Sequence, residues 1–345
     1  MFLHKVCVSV CVGGLAVLIA GCGSSGTGGG KSGTAQISIG TFPITGALTD
    51  YVAQDEDFFK KNGINAKIIP SMSGATAIQL MANNKLQSYW IDFLSVLQAT
   101  ASGANVKVAG CLPSSAYEIV ASGSAGLASP SASFADRVKA LQGKTVGVTA
   151  IGAGTDRALT AILQAEGVNP KSVQRLAVGV PTAAAGQMKA GRIAAYVTGS
   201  NSGAYQVQKI VSDANVYLKT GEQEAPPTIR LFASPLWMVP GEWATKNPTQ
   251  VEDYMKAIVQ ARDWIVANPD DAAQVMSKDM FSGADLPIAK QSVDEYVQDA
   301  YQPSSKELTC SRDTFDAAKE IFEQQHMGDA SKLTYDGIVL PRARQ

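Results

Sequence analysis

A glycine-rich turn between an apolar strand pattern and a helical pattern constrains this chain more than any other feature. Residues 144–167 read KTVGVTAIGAGTDRALTAILQAEG. Thr145–Val148 is a β-branched run of the kind found in buried strands. Gly152 and Gly154 permit a tight turn, and apolar residues then recur at helical spacing until Gly167 ends the helix. The segment therefore predicts a strand, a glycine loop and the start of a helix.

The start of this predicted helix is a candidate anion site. Free N–H groups and the positive end of the helix dipole point outward together there. Gly152, Gly154, Thr155 and Asp156 are therefore candidate ligand-binding residues. The alternative is an ordinary turn in which Thr155 or Asp156 only caps the helix. The loop is not a P-loop, because no Gly-Lys-Ser/Thr follows it, and it lacks the three-glycine spacing of dinucleotide sites.

The N-terminus has the pattern of a targeting segment. Residues 6–20 form an apolar run that is short for a membrane span, and residues 18–22 read LIAGC. This ending resembles a bacterial lipobox, which implies a signal peptide over 1–21 and a lipid on Cys22. The alternative is a plain secretory signal with an incidental cysteine. Residues 22–34 are rich in glycine and serine, which predicts a flexible tether between the membrane and an extracytoplasmic protein.

Composition narrows the classes of ligand. A net charge of −1 provides no basic surface for nucleic acid. His4 and His326 are the chain's two histidines and are too few to build a metal cluster, so we expect no metal and no cofactor. Once the signal is removed and Cys22 carries lipid, Cys111 and Cys310 remain in an oxidising compartment. They could form a disulfide, or both could be small buried core residues.

Beyond the tether, strand patterns alternate with helical patterns, which predicts an α/β fold of parallel sheets with helices on both faces. Such sheets bind ligands beyond the carboxyl ends of their strands. Five loops follow predicted strands and are expected to converge on one cleft, namely 41–46, 71–76, 89–93, 151–156 and 198–202. Outside the glycine loop, the candidate binding residues are Phe42, Thr45, Ser73, Gly74, Tyr89, Trp90, Asp92, Thr198, Ser200, Asn201 and Trp237.

Each of these candidates has a purely structural alternative. The residues in turns could only shape those turns, Ser73 and Asp92 could only cap helices, and the aromatic residues could fill the core. Arg157 and Arg230 could neutralise an acidic solute, or they could be solvated or ion-paired.

Five segments in order resemble the solute-binding proteins of ABC importers of the sulfonate, taurine, nitrate and thiamine-precursor type. They are YVAQDEDFFKKNGINAKII (51–69), SGATAIQLMANNKL (73–86), SGANVKVAG (102–110), LQGKTVGVTAIGAGTDRALTAILQAEGVNP (141–170) and NPTQVEDYMKAIVQARDWIVANPDDAA (247–273). The resemblance runs from about residue 36 to 325. It implies a type II periplasmic-binding-protein-like fold with two lobes, hinge strands and an interlobe cleft.

The same resemblance implies an organisation and a set of partners. Lobe one would contain residues 35–118 and 229–345, and lobe two residues 119–228. The partners would be a small-molecule solute, an ABC permease with its ATPase, and the membrane through the lipid anchor. We expect a monomer without catalytic residues.

Two departures from the family pattern bear on the solute. The family often has Gly-x-Val-Asp-Phe-Gly after the second helix, where this chain has NKLQSY (84–89), and its later Gly-x-x-Asp-Ala run appears here as GRIAA (191–195). Tyr89 and Trp90 therefore stand where small residues usually line the cleft, which suits a ring-bearing or elongated apolar solute.

Helix N-termini suit a sulfonate, carboxylate or nitrate, so we expect a small organic anion. The alternatives are a neutral pyrimidine or thiamine precursor, a ligand-sensing lobe, or an enzyme on the same fold. The exported N-terminus, the scarcity of histidine and the absence of a nucleophile–base pair argue against the enzyme.

Overall fold

The computed structural model describes residues 34–112, 117–300 and 307–345. They form one compact unit that contains two five-stranded sheets with interspersed helices. This is the two-lobe α/β fold of the type II periplasmic-binding-protein kind, which confirms the predicted fold class. The lobe boundaries at residues 118 and 228 stay a prediction.

The first sheet has the strand order β2-β1-β3-β10-β4. Its strands are β1 (Ala35–Gly40), β2 (Ile64–Ile69), β3 (Ser88–Asp92), β4 (Val106–Cys111) and β10 (Pro235–Pro240). The second sheet has the order β7-β6-β8-β5-β9. Its strands are β5 (Glu118–Ser122), β6 (Thr145–Val148), β7 (Gln174–Ala177), β8 (Ala195–Thr198) and β9 (Ala214–Lys219).

The helices follow the same division. Those interspersed with β1–β4 are α1 (Leu48–Asp55), α2 (Phe58–Lys61), α3 (Gly74–Ala82) and α4 (Phe93–Ala101). Those interspersed with β5–β9 are α5 (Phe134–Lys139), α6 (Gly154–Ala165), α7 (Pro181–Lys189) and α8 (Asn201–Ile210). The later helices are α9 (Pro227–Phe232), α10 (Gly241–Lys246), α11 (Pro248–Ala267), α12 (Pro269–Val275), α13 (Leu286–Ala300), α14 (Arg312–Gln324) and α15 (Tyr335–Ile338). A π-helical turn over Met276–Met280 extends α12, and short 3-10 turns cover Thr45–Ala47, Gly123–Ala125, Pro170–Ser172 and Pro341–Ala343.

The expectation of purely parallel sheets is wrong, because each sheet contains one reversed strand. Strand β10 runs antiparallel to β3 and β4, and β5 runs antiparallel to β8 and β9. A strand–helix–strand crossover within one lobe returns the chain in its original direction and gives parallel neighbours. Strands β5 and β10 are instead the first strands formed after the chain passes from one sheet to the other, so that rule does not apply to them.

Two local predictions also differ from the structure. The apolar pattern of residues 47–62 predicts a single helix, but the helix is divided because Asp57 adopts a left-handed conformation with φ of 57° between α1 and α2. The two prolines in residues 222–228 indicate a linker in the sequence, but α9 begins within this stretch at Pro227. Proline is favourable at the first position of a helix, because its missing N–H has no intrahelical partner there anyway.

A chain of buried polar groups lies in the core behind the first sheet. Ser88 Oγ donates to Tyr254 Oη at 2.9 Å, and Tyr254 Oη donates to Asp50 Oδ1 at 2.7 Å. Trp237 on β10 is fully buried beside them. Burial raises the pKa of Asp50 to about 7, although the hydrogen bond from Tyr254 acts in the opposite direction. Asp50 is therefore a buried carboxyl that titrates near neutral pH.

A disulfide joins Cys111 at the end of β4 to Cys310 before α14. It closes a loop of 199 residues that includes the whole second sheet. The main chain supports the same attachment, since Cys111 N donates to Leu308 O at 2.8 Å and Cys310 N donates to Ala343 O at 2.7 Å. The C-terminal part of the chain is thereby fixed against the first sheet.

Candidate functional site

A cavity of about 650 Å³ lies between elements of the two sheets. The first lobe supplies Thr45, Gly46, Trp90, Cys111 and Leu112. The stretch from β5 to β9 and its approach supply Tyr117, Glu118, Gly199, Ser200, Asn201, Lys219, Gly221 and Glu222. The returning chain supplies Arg230, Leu231, Ser234, Glu295, Tyr296, Gln298, Thr309, Ser311, Thr314 and Gln345. A cavity of this size can hold a small organic molecule, and a molecule there would contact both lobes.

Four of the candidate residues from the sequence lie on the cavity wall: Thr45, Trp90, Ser200 and Asn201. Thr45 begins the 3-10 turn before α1, and Asn201 begins α8. Thr45 Oγ1 donates to Asn201 Oδ1 at 2.5 Å, so the two side chains join the lobes at the cavity. Thr45 follows β1, and Ser200 and Asn201 follow β8, whereas Trp90 lies within β3.

Trp90 lines the cavity, and its indole N–H is unpaired within the described part of the chain. Its indole ring lies against the main chain of Gly46, where an added Cβ would be 1.9 Å from Trp90 Cζ2. The indole Nε1 is shielded from solvent and has no hydrogen-bond partner among the described residues. A buried donor without a partner is unfavourable unless a ligand supplies an acceptor. The neighbouring Tyr89 is in the core instead, where its hydroxyl donates to Met72 O at 2.8 Å.

The carboxylates on the wall each have a basic partner. Lys219 Nζ is 3.1 Å from Glu118 Oε1 and 3.5 Å from Glu295 Oε1. Glu222 is paired with the largely buried guanidinium of Arg137, whose Nη1 is 3.0 Å from Glu222 Oε1. The exposed Arg230, in contrast, has no carboxylate within ion-pair distance in the parts of the chain that the structure describes. Arg230 is therefore a cation on the wall that a solute could engage.

Glu295 is the centre of a second polar connection between the lobes. It accepts hydrogen bonds from Asn201 Nδ2 at 2.9 Å and from the hydroxyl of Tyr205. Burial alone would raise the pKa of Glu295, but the bonds from Tyr205 and Asn201 and the charge of Lys219 together hold that pKa below its ordinary value. Burial alone would likewise lower the pKa of Lys219, but Glu118 and Glu295 raise it. Both partners are therefore charged at neutral pH.

The glycine loop is not on the wall of this cavity. Gly152, with φ of 75°, donates its N–H to Asp156 Oδ2 at 2.8 Å, and Asp156 Oδ1 is 3.2 Å from Arg175 Nε. Thr155 Oγ1 accepts from Thr149 N at 3.0 Å. The side chains of this loop therefore make contacts within the second lobe. The prediction that the loop binds the acidic end of a solute stays a prediction.

Gly154 stands where the start of α6 meets Asp92 at the end of β3 and Tyr117 just before β5. A Cβ added to it would be 2.4 Å from Tyr117 Oη and 3.2 Å from Asp92 Oδ2. Tyr117 Oη donates to that same Asp92 oxygen at 3.0 Å, and Asp92 Oδ1 accepts from Ser95 N at 2.9 Å as the cap of α4. The carboxylate of Asp92 thus lies against the start of α6, the position at which the sequence predicted an anionic ligand.

Arg157 completes this contact between the lobes. Its Nη2 donates to Ser95 Oγ at 2.8 Å and its Nη1 donates to Gln98 Oε1 at 2.5 Å, both on α4. Arg157 therefore holds α6 against α4 and is already hydrogen-bonded to protein acceptors. Of the two arginines weighed from the sequence, Arg230 is the one that lines the cavity.

The remaining candidates have structural contacts away from the cavity. Ser73 caps α3 by accepting from Thr76 N at 3.2 Å, and Gly74 follows it as the first helical residue. Phe42 is half-buried, Thr198 Oγ1 donates to the main chain at Ser200, and Trp237 is in the core.

The sequence reasoning missed the charged residues of the site, above all Glu118, Lys219 and Glu295. Glu118 carried a usable signal, because it is a charged residue at the start of the apolar strand EIVAS and is 6% exposed. Glu295 had no such signal, since it is one of several polar residues on an amphipathic helix.

Comparison with known proteins decides the family. A family model described as NMT1/THI5 like matches residues 45–272, which is well over half of the chain. The chain belongs to the NMT1/THI5-like family. The matched range includes Thr45, Trp90 and the cavity wall from Glu118 to Ser234. The segment with Thr309, Ser311 and Thr314 lies beyond this family's match. No curated protein matches the chain.

Three solved structures with the same fold are binding proteins of low sequence identity to this chain. The alkanesulfonate-binding protein SsuA from Xanthomonas axonopodis pv. citri, bound to MOPS, is 16% identical with a TM-score of 0.70 over 90% of this chain and 99% of that one. The aliphatic sulphonate binding protein SsuA from Escherichia coli is 13% identical with a TM-score of 0.65 over 85% and 93%. The nitrate-binding protein NrtA from Synechocystis PCC 6803 is 14% identical with a TM-score of 0.60 over 91% and 93%. At these identities the likeness shows the fold, and the resemblance inferred from the sequence is confirmed at the level of family and fold.

Two further observations concern the described residues alone. They contain no group of three or more His, Cys, Asp or Glu side chains arranged to hold a metal ion. Within the same ranges, no helix combines the length and apolar character needed to cross a membrane.

Proposed function

We propose that this protein is the extracytoplasmic solute-binding component of an ABC importer and that its solute is a small organic anion. The cavity between the two lobes supports a binding role, because a molecule there would contact both lobes at once. The observation that carries the choice of an anion is the pair of donors on the wall. Trp90 Nε1 is buried without a partner, and Arg230 is a cation without a carboxylate partner in the described residues. A solute with acceptor atoms could satisfy the unpaired indole N–H, and a negative charge on it could pair with Arg230.

The two ends of such a solute would contact different residues of the cavity wall. The acidic end of a sulfonate or carboxylate would engage Arg230, and the remainder would lie along the indole of Trp90. Thr45, Ser200 and Asn201 lie at the junction of the lobes, where the solute would contact both. The likeness of the fold to sulfonate- and nitrate-binding proteins agrees with this class of solute. The loaded protein would then deliver its solute to a permease, and no bond of the solute needs to break.

A thermal-shift screen followed by calorimetric titration tests this proposal. The screen should contain aliphatic and aromatic sulfonates, carboxylates, nitrate and neutral pyrimidines. We expect sulfonates or carboxylates to stabilise the protein. Arg230→Gln should weaken the best of them by about tenfold or more, since a charge-assisted hydrogen bond is worth about 1.5–3 kcal/mol. Arg192→Gln is the matched control, because Arg192 is exposed and away from the cavity. The absence of any stabilising anion would contradict the proposal.

A neutral pyrimidine or thiamine precursor is the second candidate solute. The observation in its favour is the nearly balanced charge of the wall, where Lys219 and Arg137 already face the three carboxylates. The affinity for a neutral ring would depend on Trp90 and not on the charge of Arg230. Trp90→Ala would then abolish binding while Arg230→Gln left the affinity unchanged.

A further inference from the structure

The C-terminal segment supplies a wall of the cavity that the family match does not include. Thr309, Ser311 and Thr314 line the cavity, whereas the match to the family model ends at residue 272. We propose that these three hydroxyl residues determine which solute the cavity accepts. This inference rests on the proposed solute site and adds to it the residues that select the solute.

The segment is held too firmly to be an incidental neighbour. Cys310 is bonded to Cys111, which itself lines the cavity. Leu308 is fully buried, and its carbonyl oxygen accepts from Cys111 N at 2.8 Å. The main chain of Gly110 packs so closely that an added Cβ would be 3.2 Å from Leu308 O. A side chain at 309 or 311 therefore has a fixed position relative to the solute.

The same segment is also fixed on its other side. Cys310 N donates to Ala343 O at 2.7 Å, and Cys310 O accepts from the hydroxyl of Tyr335. The wall thus lies between the end of β4 and the C-terminal 3-10 turn at Pro341–Ala343. A rigid wall can discriminate between solutes, because it cannot move away from a group that does not fit.

The chemistry of this wall favours acceptor atoms on the solute. Ser311 Oγ accepts from Asp313 N at 3.1 Å as the cap of α14, which uses a lone pair of the oxygen. The Ser311 hydroxyl donates to no acceptor among the described residues, so it can donate a hydrogen bond to a solute. Thr309 is half-buried and Thr314 is buried, so both side chains are largely shielded from solvent. Oxygen-rich groups such as sulfonates and carboxylates supply the acceptors that these donors need.

The decisive test compares two substitutions of Ser311 that both preserve the helix cap. Asp and Asn are equally good at this position and have nearly the same shape, so Ser311→Asp and Ser311→Asn should fold alike. Only Ser311→Asp places a negative charge on the wall. We expect Ser311→Asp to bind the best anion from the screen about tenfold or more weakly than Ser311→Asn. Ser331→Asp is the control in the same terminal region, because Ser331 is exposed and off the cavity wall.

A second variant removes a donor without adding charge. Thr309→Val keeps the shape of the side chain, and loss of one hydrogen bond should weaken the anion by about three- to tenfold. Equal affinity of the wild type, Ser311→Asp, Ser311→Asn and Thr309→Val would overturn the inference while leaving the proposed function intact. If the wild type bound none of the screened solutes, that result would contradict the proposed function and also the selective role of these three residues.

Discussion

Thr45 of the first lobe donates a hydrogen bond to Asn201 of the second, with 2.5 Å between Oγ1 and Oδ1. The amide of Asn201 then donates to Glu295 on α13, which also accepts from Tyr205 and lies near Lys219. A separate contact, through Arg157, joins α6 to α4. The lobes are therefore connected by polar contacts of the protein itself, and those contacts should influence the balance between open and closed forms.

We predict that Glu295→Gln shifts this balance towards the open form. The substitution keeps the size of the side chain but removes the charge that faces Lys219, so the closed form loses part of its stabilisation. The radius of gyration without solute, measured by small-angle X-ray scattering, should increase, and the affinity for the solute should fall in proportion to the closed fraction. Glu323→Gln on the exposed face of α14 should change neither quantity. Identical scattering and affinity for both variants would show that Glu295 does not contribute to closure.

Gly154 provides a steric test of the contact between the lobes. Gly154→Ala places a Cβ 2.4 Å from Tyr117 Oη, which the observed packing of α6 against Tyr117 cannot accommodate without movement. Solute affinity should fall by about tenfold or more while the two lobes still fold. Gly186→Ala in α7 is the matched control, since an added Cβ there meets no atom within 4 Å and alanine favours a helix. Wild-type affinity in a folded Gly154→Ala protein would mean that α6 need not approach Tyr117 for binding.

The buried carboxyl of Asp50 should make stability depend on pH. Its pKa is raised from the ordinary 3.8 to about 7, so the folded protein binds this proton more tightly than the unfolded chain does. The resulting stabilisation is fully present below about pH 4 and is lost as the pH rises through about 7, at up to about 1.4 kcal/mol per pH unit. Asn at this position still offers an oxygen to Tyr254 but does not titrate.

The measurement is the free energy of unfolding of the wild type and of Asp50→Asn from pH 4 to pH 8. Other carboxyl groups contribute equally to both proteins, so the difference between them isolates Asp50. We expect the wild type to lose stability relative to Asp50→Asn as the pH rises. A difference that stays constant over this range would contradict a raised pKa for Asp50.

The disulfide predicts a simple thiol count. A protein starting at residue 34 contains Cys111 and Cys310 as its two cysteines and should show no free thiol when unfolded without reductant. Reduction should expose two thiols and lower the melting temperature, because loss of a native disulfide typically costs about 2–5 kcal/mol. Two titratable thiols in the unreduced protein would show that the bond does not form in solution.

The sequence was sufficient for those features that depend on local patterns. β6 and α6 follow from the local pattern of residues 144–167. Thr45, Ser200 and Asn201 were found because they follow strands, and Trp90 because it departs from the family pattern. The reversed direction of β5 and β10 could not be read locally, since it depends on the passage of the chain between the sheets. α9 was missed because two prolines suggested a linker, although Pro227 is well placed to begin a helix.

The charged residues of the site could not be predicted from the sequence for a different reason. Asn201 and Glu295 are 94 residues apart in sequence, and only the packing of α8 against α13 brings them together. The glycine loop was expected to be the centre of binding because it has the local form of an anion site. The structure places the carboxylate of Asp92 against it, a contact between distant segments that no local pattern reveals.

Cys22 lies outside the described residues, and its lipidation remains a prediction from the LIAGC ending at residues 18–22. Cys22→Ala should release the protein from the membrane fraction, because the lipid would be the attachment. Fractionation of cells expressing the wild type and the variant measures this. Unchanged retention of Cys22→Ala in the membrane fraction would contradict the anchor.

The central claim is that the cavity beside Trp90 and Arg230 binds a small organic anion. Calorimetric titration with a matched pair of solutes tests it most directly: the best sulfonate or carboxylate from the screen, and the neutral alcohol or amide of the same carbon skeleton. The account predicts that the anion binds at least about tenfold more tightly than its neutral partner, and that Arg230→Gln removes most of this difference. Equal affinity for the two solutes, or a preference for the anion that Arg230→Gln leaves unchanged, would contradict it.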